Sequence, residues 1–138
     1  MFDALSGHFG WVDLAATDVG AAAGFYAGAF GWSAREERVA GGTIIRFRHE
    51  GRDVASAYQL RQRHLAAGVP SHWTPYLRVV ALEQVIGRIT ACGGRVIVPP
   101  LAASDRVRIA LVQDVVGALV GLRQEDAARE ERQADVPA

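Results

Sequence analysis

Apolar and polar positions along this chain follow two periods, and the switches between them mark its elements. Phe9 to Ala15 is a short aromatic and β-branched run that ends at Thr17-Asp18, a strand followed by a helix N-cap. Val19 to Phe30 then places Ala21, Ala22, Phe25, Tyr26, Ala29 and Phe30 at three-and-four spacing, the stripe of an amphipathic helix, and Gly31 is its C-terminal stop. Strands follow at Ser33–Val39, Thr43–His49 and Asp53–Leu60, with Gly41-Gly42 and Glu50-Gly51-Arg52 as turns. Arg61 to Ser71 is polar, contains Gly68 and Pro70, and reads as the connection between the halves. The order then repeats: strand Trp73–Val79, helix Leu82–Cys92, a short strand Arg95–Val98 stopped by Pro99-Pro100, and a hairpin of Arg106–Gln113 and Ala118–Arg123.

A β-α-β-β-β unit used twice, without long apolar parallel strands, predicts an α+β fold whose curled sheets face a shared cavity. Module one covers about residues 8–60 and module two about 72–124, together a single domain over 1–124. Residues 125–138 read as a charged, alanine-rich tail.

Composition narrows the function classes. The chain has 138 residues, is 50% hydrophobic and 22% charged, and has no formal net charge, which fits a globular domain and gives nucleic acid no field to follow. Its basic residues are all arginine and are scattered; Arg35-Glu36-Glu37-Arg38 and Arg129–Arg132 read as solvated faces. No apolar run approaches the roughly 20 residues of a membrane helix, and the N-terminus lacks the features of a secretion signal. The single cysteine, Cys92, cannot form an internal disulfide and reads as a small hydrophobe in a reducing, cytoplasmic protein.

Asp18, Phe25-Tyr26 and Phe30-Gly31-Trp32, then Gly93-Gly94, Asp114 and Gly117-Ala118 give this chain a resemblance to the vicinal oxygen chelate superfamily of glyoxalases, bleomycin-resistance proteins and extradiol dioxygenases. The likeness spans about His8 to Gln124. Trp11-Val12-Asp13-Leu14, Trp73 to Tyr76 and the final hairpin look most like glyoxalase-like or bleomycin-resistance-like proteins of actinobacteria. The resemblance implies two tandem modules, a homodimer, and a divalent metal held by His, Glu and Gln from four strands. Carried over, those positions fall on Trp11, Ser56, Thr74 and Gly121, with one residue of uncertainty at Ser56. An indole, two hydroxyls and a glycine hold a divalent ion poorly, so the expectation is no metal and no cofactor.

Strand alternation from those positions predicts the cavity lining: Trp11 and Asp13 from the first strand, Ser56 and Tyr58 from the fourth, and His72, Thr74, Tyr76 and Arg78 from the strand that opens module two. Aromatic walls with sparse polar groups suit a small organic molecule. Asp13 is costly to bury unpaired; it is either a structural carboxylate paired with Arg78 or Tyr76, or a base tuned by burial. Trp11 either stacks on a planar ligand or fills the vacated metal position.

Three functions follow, the third a structural or regulatory module that acts through its surface. The first is metal-independent binding of a small molecule, an antibiotic or secondary metabolite, by Trp11, Ser56, Tyr58, Thr74 and Arg78. The second is a metal-free lyase, isomerase or cyclase with Asp13 as base and Tyr76 or His72 as acid.

Overall fold

Helix α1, Val19–Phe30, begins where the sequence offers a cap: the Asp18 carboxylate accepts from the Ala21 N–H at 3.0 Å. It ends at Gly31, whose φ of 74° lets its N–H turn back to the carbonyls of Ala27 and Tyr26. The computed structural model describes residues 7–39 and 42–126, and the tail expected after residue 124 lies almost wholly outside them.

The remaining elements are β1 (His8–Ala16), β2 (Ser33–Val39), β3 (Gly42–His49), β4 (Arg52–Gln59), α2 (Gln62–Ala66), β5 (His72–Arg78), α3 (Leu82–Ala91), β6 (Arg95–Ala102), β7 (Val107–Gln113) and β8 (Leu119–Glu125). Apart from α2, this is the β-α-β-β-β order twice, the vicinal oxygen chelate arrangement of an α+β chain.

The described chain forms two compact units, one of residues 11–75 and one of residues 7–10 with 76–126. In the first, hydrogen bonding orders the strands β2-β3-β4-β1, with β1 and β4 parallel and Asp13 opposite Ser56. Its core is Leu14, Ala16, Phe47, Ala55 and Ala57, which α1 covers through Ala22, Ala23 and Tyr26. In the second, the order is β5-β8-β7-β6, with β5 and β8 parallel and Tyr76 opposite Gly121. Its core is Val79, Leu82, Ala110, Val112 and Leu122, covered by Val85, Ile86 and Ile89 of α3.

The duplication extends to single hydrogen bonds. Gln59 at the end of β4 accepts from the Val19 N–H at 3.0 Å, and Gln124 near the end of β8 accepts from the Leu82 N–H at 2.7 Å. Each glutamine satisfies an orphan donor at the start of its module's helix.

Within the connection after β4, Gln62–Ala66 makes a short helix, α2. One expectation changes. Pro99-Pro100 does not end β6: the strand continues to Ala102 at the edge of its run, where two register shifts absorb the missing N–H donors. By contact, residues 7–10 group with the second unit and residues 72–75 with the first. Gly7 N–H donates to the Arg78 carbonyl at 2.9 Å, Thr17 N–H donates to Ser71 Oγ at 2.9 Å, and Trp73 Nε1 donates to the Tyr26 hydroxyl at 3.1 Å.

Tyr26, Phe30, Trp32, Phe47 and Trp73 pack ring against ring, with Tyr26 stacked on Trp32 at 5.1 Å. The Phe-Tyr and Phe-Gly-Trp signature therefore builds the seat of α1. Among the described residues no helix is long and apolar enough to cross a membrane.

Candidate functional site

On β1 and β4 the residues alternate between two faces. Leu14, Ala16, Ala55 and Ala57 point to the core under α1, which turns Trp11, Asp13, Ser56 and Tyr58 to the opposite face. There the parallel register sets Asp13 beside Ser56, and the antiparallel β3–β4 register sets Arg46 on the other side of Ser56.

Trp11 Nε1 donates to Ser56 Oγ at 2.8 Å, and Ser56 Oγ donates to Asp13 Oδ1 at 2.7 Å. Ser56 is only 6% exposed. Burial pushes the Asp13 carboxyl up from 3.8 to about 6; the Ser56 hydrogen bond and the nearby His72 charge oppose that rise without cancelling it. Tyr58 lies one diagonal step from Asp13, since Ala15 is its direct partner. Its phenol is pushed above the ordinary tyrosine value by burial first and by the Asp13 charge second, against the pull of Arg61.

A second layer was not foreseen from the sequence. Arg46 lies over the Trp11 ring, its guanidinium carbon 5.6 Å from the centroid. Its Nε and Nη2 donate to the two oxygens of Glu37 at 2.7 and 3.0 Å, and Asp53 stands 3.7 Å away. Arg46 holds the Glu37 carboxyl below the usual range. Glu37 is thus the member of the Arg35–Arg38 run that is not a solvated face. The available signal was Arg46 sitting between Ile45 and Phe47, a cation on the strand face away from the helix.

The other expected residues distribute as follows. His72 opens β5, and its Nδ1 donates to the Pro70 carbonyl at 2.9 Å, so that nitrogen carries a proton. Thr74 is 7% exposed, and among the described residues no hydrogen bond joins it to Asp13, Ser56 or Tyr58. Tyr76 and Arg78 belong to the second unit. The Tyr76 ring lies flat against Gly121, where any side chain would overlap it. Arg78 is 57% exposed and pairs with Glu125 at 3.3 Å. Asp13 is hydrogen-bonded by Ser56 of the neighbouring strand.

The residues at the four positions implied for a metal do not fit one. Trp11 presents an N–H, the Ser56 hydroxyl hydrogen is committed to Asp13, Thr74 offers a single hydroxyl, and Gly121 offers no donor atom. Among the described residues no three of His, Cys, Asp or Glu gather where they could hold a metal ion.

The sequence is similar to the protein CFP32 of Mycobacterium tuberculosis (strain CDC 1551 / Oshkosh), 31% identical over 115 residues that cover 83% of this chain and 44% of that protein. It is equally similar to the anthracycline biosynthesis protein DnrV of Streptomyces peucetius, 31% identical over 122 residues covering 78% of this chain and 43% of the relative. The chain thus spans less than half the length of these relatives. Among solved structures, methylmalonyl-CoA epimerase from Mycobacterium tuberculosis superposes with a TM-score of 0.64 over 91% of both chains at 17% identity. The hypothetical protein BH1468 from Bacillus halodurans C-125 reaches 0.67 over 87% of this chain and 95% of its own at 14% identity, so both likenesses are of fold. The profile of the Glyoxalase/Bleomycin resistance protein/Dioxygenase superfamily matches residues 8–121, and with these relatives it makes the chain a member of that superfamily.

Proposed function

We propose that this chain binds a small organic molecule without a metal, on the face of β1 and β4 that carries Trp11, Asp13, Ser56 and Tyr58. One observation carries the reading: Trp11 and Ser56, two of the positions where the family would place metal ligands, are instead hydrogen-bond donors in a chain that ends on the Asp13 carboxyl. Indole, phenol and a partly buried carboxyl together suit a planar molecule with a few polar substituents. The name of DnrV supports hydroxylated polycyclic metabolites as the class to try first.

The test is a panel of anthracyclines and related polycyclic phenols, scored by thermal shift and then by titration calorimetry, with and without chelator. Binding that survives chelation and weakens on Trp11→Ala is the expected result. Binding that requires one divalent ion per chain overturns the metal-free reading, and no binding across the panel overturns the ligand class. Thr74 and a homodimeric state belong to the same proposal, the latter checked by analytical ultracentrifugation.

A second reading is a metal-free lyase, isomerase or cyclase. It is favoured by the Asp13 carboxyl near 6, where a base works efficiently at neutral pH. Tyr58 stands in the Asp13 electrostatic field and joins His72 as a candidate acid. Asp13→Asn then abolishes turnover of a bound compound while leaving its binding within a fewfold of wild type; unchanged turnover removes Asp13 from the chemistry.

A further inference from the structure

The Trp11–Ser56–Asp13 chain runs in one direction only. An indole Nε1 has a hydrogen and no lone pair to offer, so Trp11 must donate at 2.8 Å and Ser56 Oγ must accept. The single hydroxyl hydrogen of Ser56 is then free to go to Asp13 Oδ1, 2.7 Å away. Were Asp13 to carry its proton on Oδ1, Ser56 Oγ would face two donors and its own hydrogen would lose its acceptor. That arrangement strands a buried donor. The acid form of Asp13 therefore carries its proton on Oδ2. Among the described residues Oδ2 has no hydrogen-bond partner, and no cation forms an ion pair with Asp13.

We infer that Trp11 and Ser56 are positioning residues: they commit Oδ1 of Asp13 to the protein and leave Oδ2 as the one oxygen that meets a bound molecule, through an O–H, N–H or activated C–H of that molecule. Where a proton transfers, the ligand's bond to hydrogen breaks, its electron pair stays on the ligand, and the new O–H bond forms on Oδ2. Ser56 and Trp11 keep their own hydrogens throughout. The stack of Arg46 on Trp11, anchored by Glu37 and Asp53, keeps the indole from turning away. The inference rests on the reading of Asp13 as the polar centre of the site.

The groups able to perturb Asp13 are Tyr58 from β4, His72 from β5, and the Arg46, Glu37 and Asp53 cluster behind Trp11, with Arg61 beside Tyr58. The experiment separates them on the intact chain by NMR, following side-chain carboxyl carbons and indole N–H signals against pH, with Trp11 assigned through Trp11→Phe. In wild type the Asp13 carboxyl and the Trp11 indole shift with a common midpoint, near 6. Asp13→Asn abolishes the Trp11 response. Ser56→Ala abolishes it as well, while Asp13 still titrates, with its midpoint moved further up. Ser56→Thr restores the coupling.

A Trp11 signal that ignores Asp13, or that keeps its titration in Ser56→Ala, overturns the inference. Persistence of the Trp11 response in Asp13→Asn assigns it to a group other than Asp13 and also overturns the inference. An Asp13 midpoint in the ordinary carboxylate range instead removes the acid–base reading. Trp11 still follows Asp13 in that outcome, at the lower midpoint, so the two failures are distinct.

Discussion

The same place in the two modules carries opposite chemistry. In the first, parallel strands β1 and β4 bring Asp13 to Ser56, and a carboxylate meets a hydroxyl. In the second, parallel strands β5 and β8 bring Tyr76 to Gly121, and an aromatic ring lies on a bare backbone. Backbone geometry is common to both, down to the glutamine that caps each helix. A duplicated frame is therefore compatible with a polar pair in one copy and a ring packed on a glycine in the other. The difference lies in side-chain volume at position 56 or 121, and in what its neighbour does with the space.

The largest effect is expected from filling that space. Gly121→Ala places a methyl group into the Tyr76 ring, and overpacking of this kind costs about 1–3 kcal/mol in chemical denaturation. Combined with Tyr76→Ala, most of the penalty at 121 disappears, because the clash belongs to the pair. An additive double mutant would show that Gly121 is not there to admit the ring.

Asp13→Asn breaks the polar copy in the opposite sense. With its folded value raised from 3.8 to about 6, the carboxyl holds its proton more tightly in the folded chain than in the unfolded one. The folded state then binds more protons between those limits, so Asp13 makes stability fall as pH rises from 3.8 to 6, by up to about 3 kcal/mol. Asparagine keeps the acceptor for Ser56 and carries no charge. The variant is expected to be more stable than wild type at pH 7–8, with the gain shrinking to nothing below pH 4 in parallel urea titrations. A gain that is independent of pH would mean that ionisation is not its source.

The smallest effects sharpen the likeness between the modules. Gln124→Ala removes the side-chain hydrogen bond to the Leu82 N–H at the start of α3, where Ala81 offers no cap, and costs about 1 kcal/mol. Gln59→Ala removes both the acceptor for the Val19 N–H and the donation from Nε2 to the Thr17 carbonyl at 2.8 Å, and costs at least as much even though Asp18 still caps α1. A smaller loss than for Gln124→Ala would show that the second bond of Gln59 contributes nothing.

Much of this frame was legible in the chain. Asp18 with Gly31 brackets α1 because capping is chemistry between near neighbours, and the repeated element order declares the fold. The ring cluster of α1 was legible as a signature, though its work is structural. Pro99-Pro100 misled because a proline stops a strand only where its N–H is needed, and β6 is an edge. Arg35 to Arg38 misled because one alternate position, Glu37, meets a cation on the next strand.

Local patterning by itself determined the elements, their duplication and the absence of ligand-type side chains at Trp11 and Gly121. Each of those depends on residues a few places apart or on one residue's identity. Only the tertiary structure decided that Ser56 stands between Trp11 and Asp13, that Arg46 lies over the indole, and that Gly121 makes room for Tyr76. Such contacts depend on strand register, and a slip of one residue would turn each of these side chains to the opposite face.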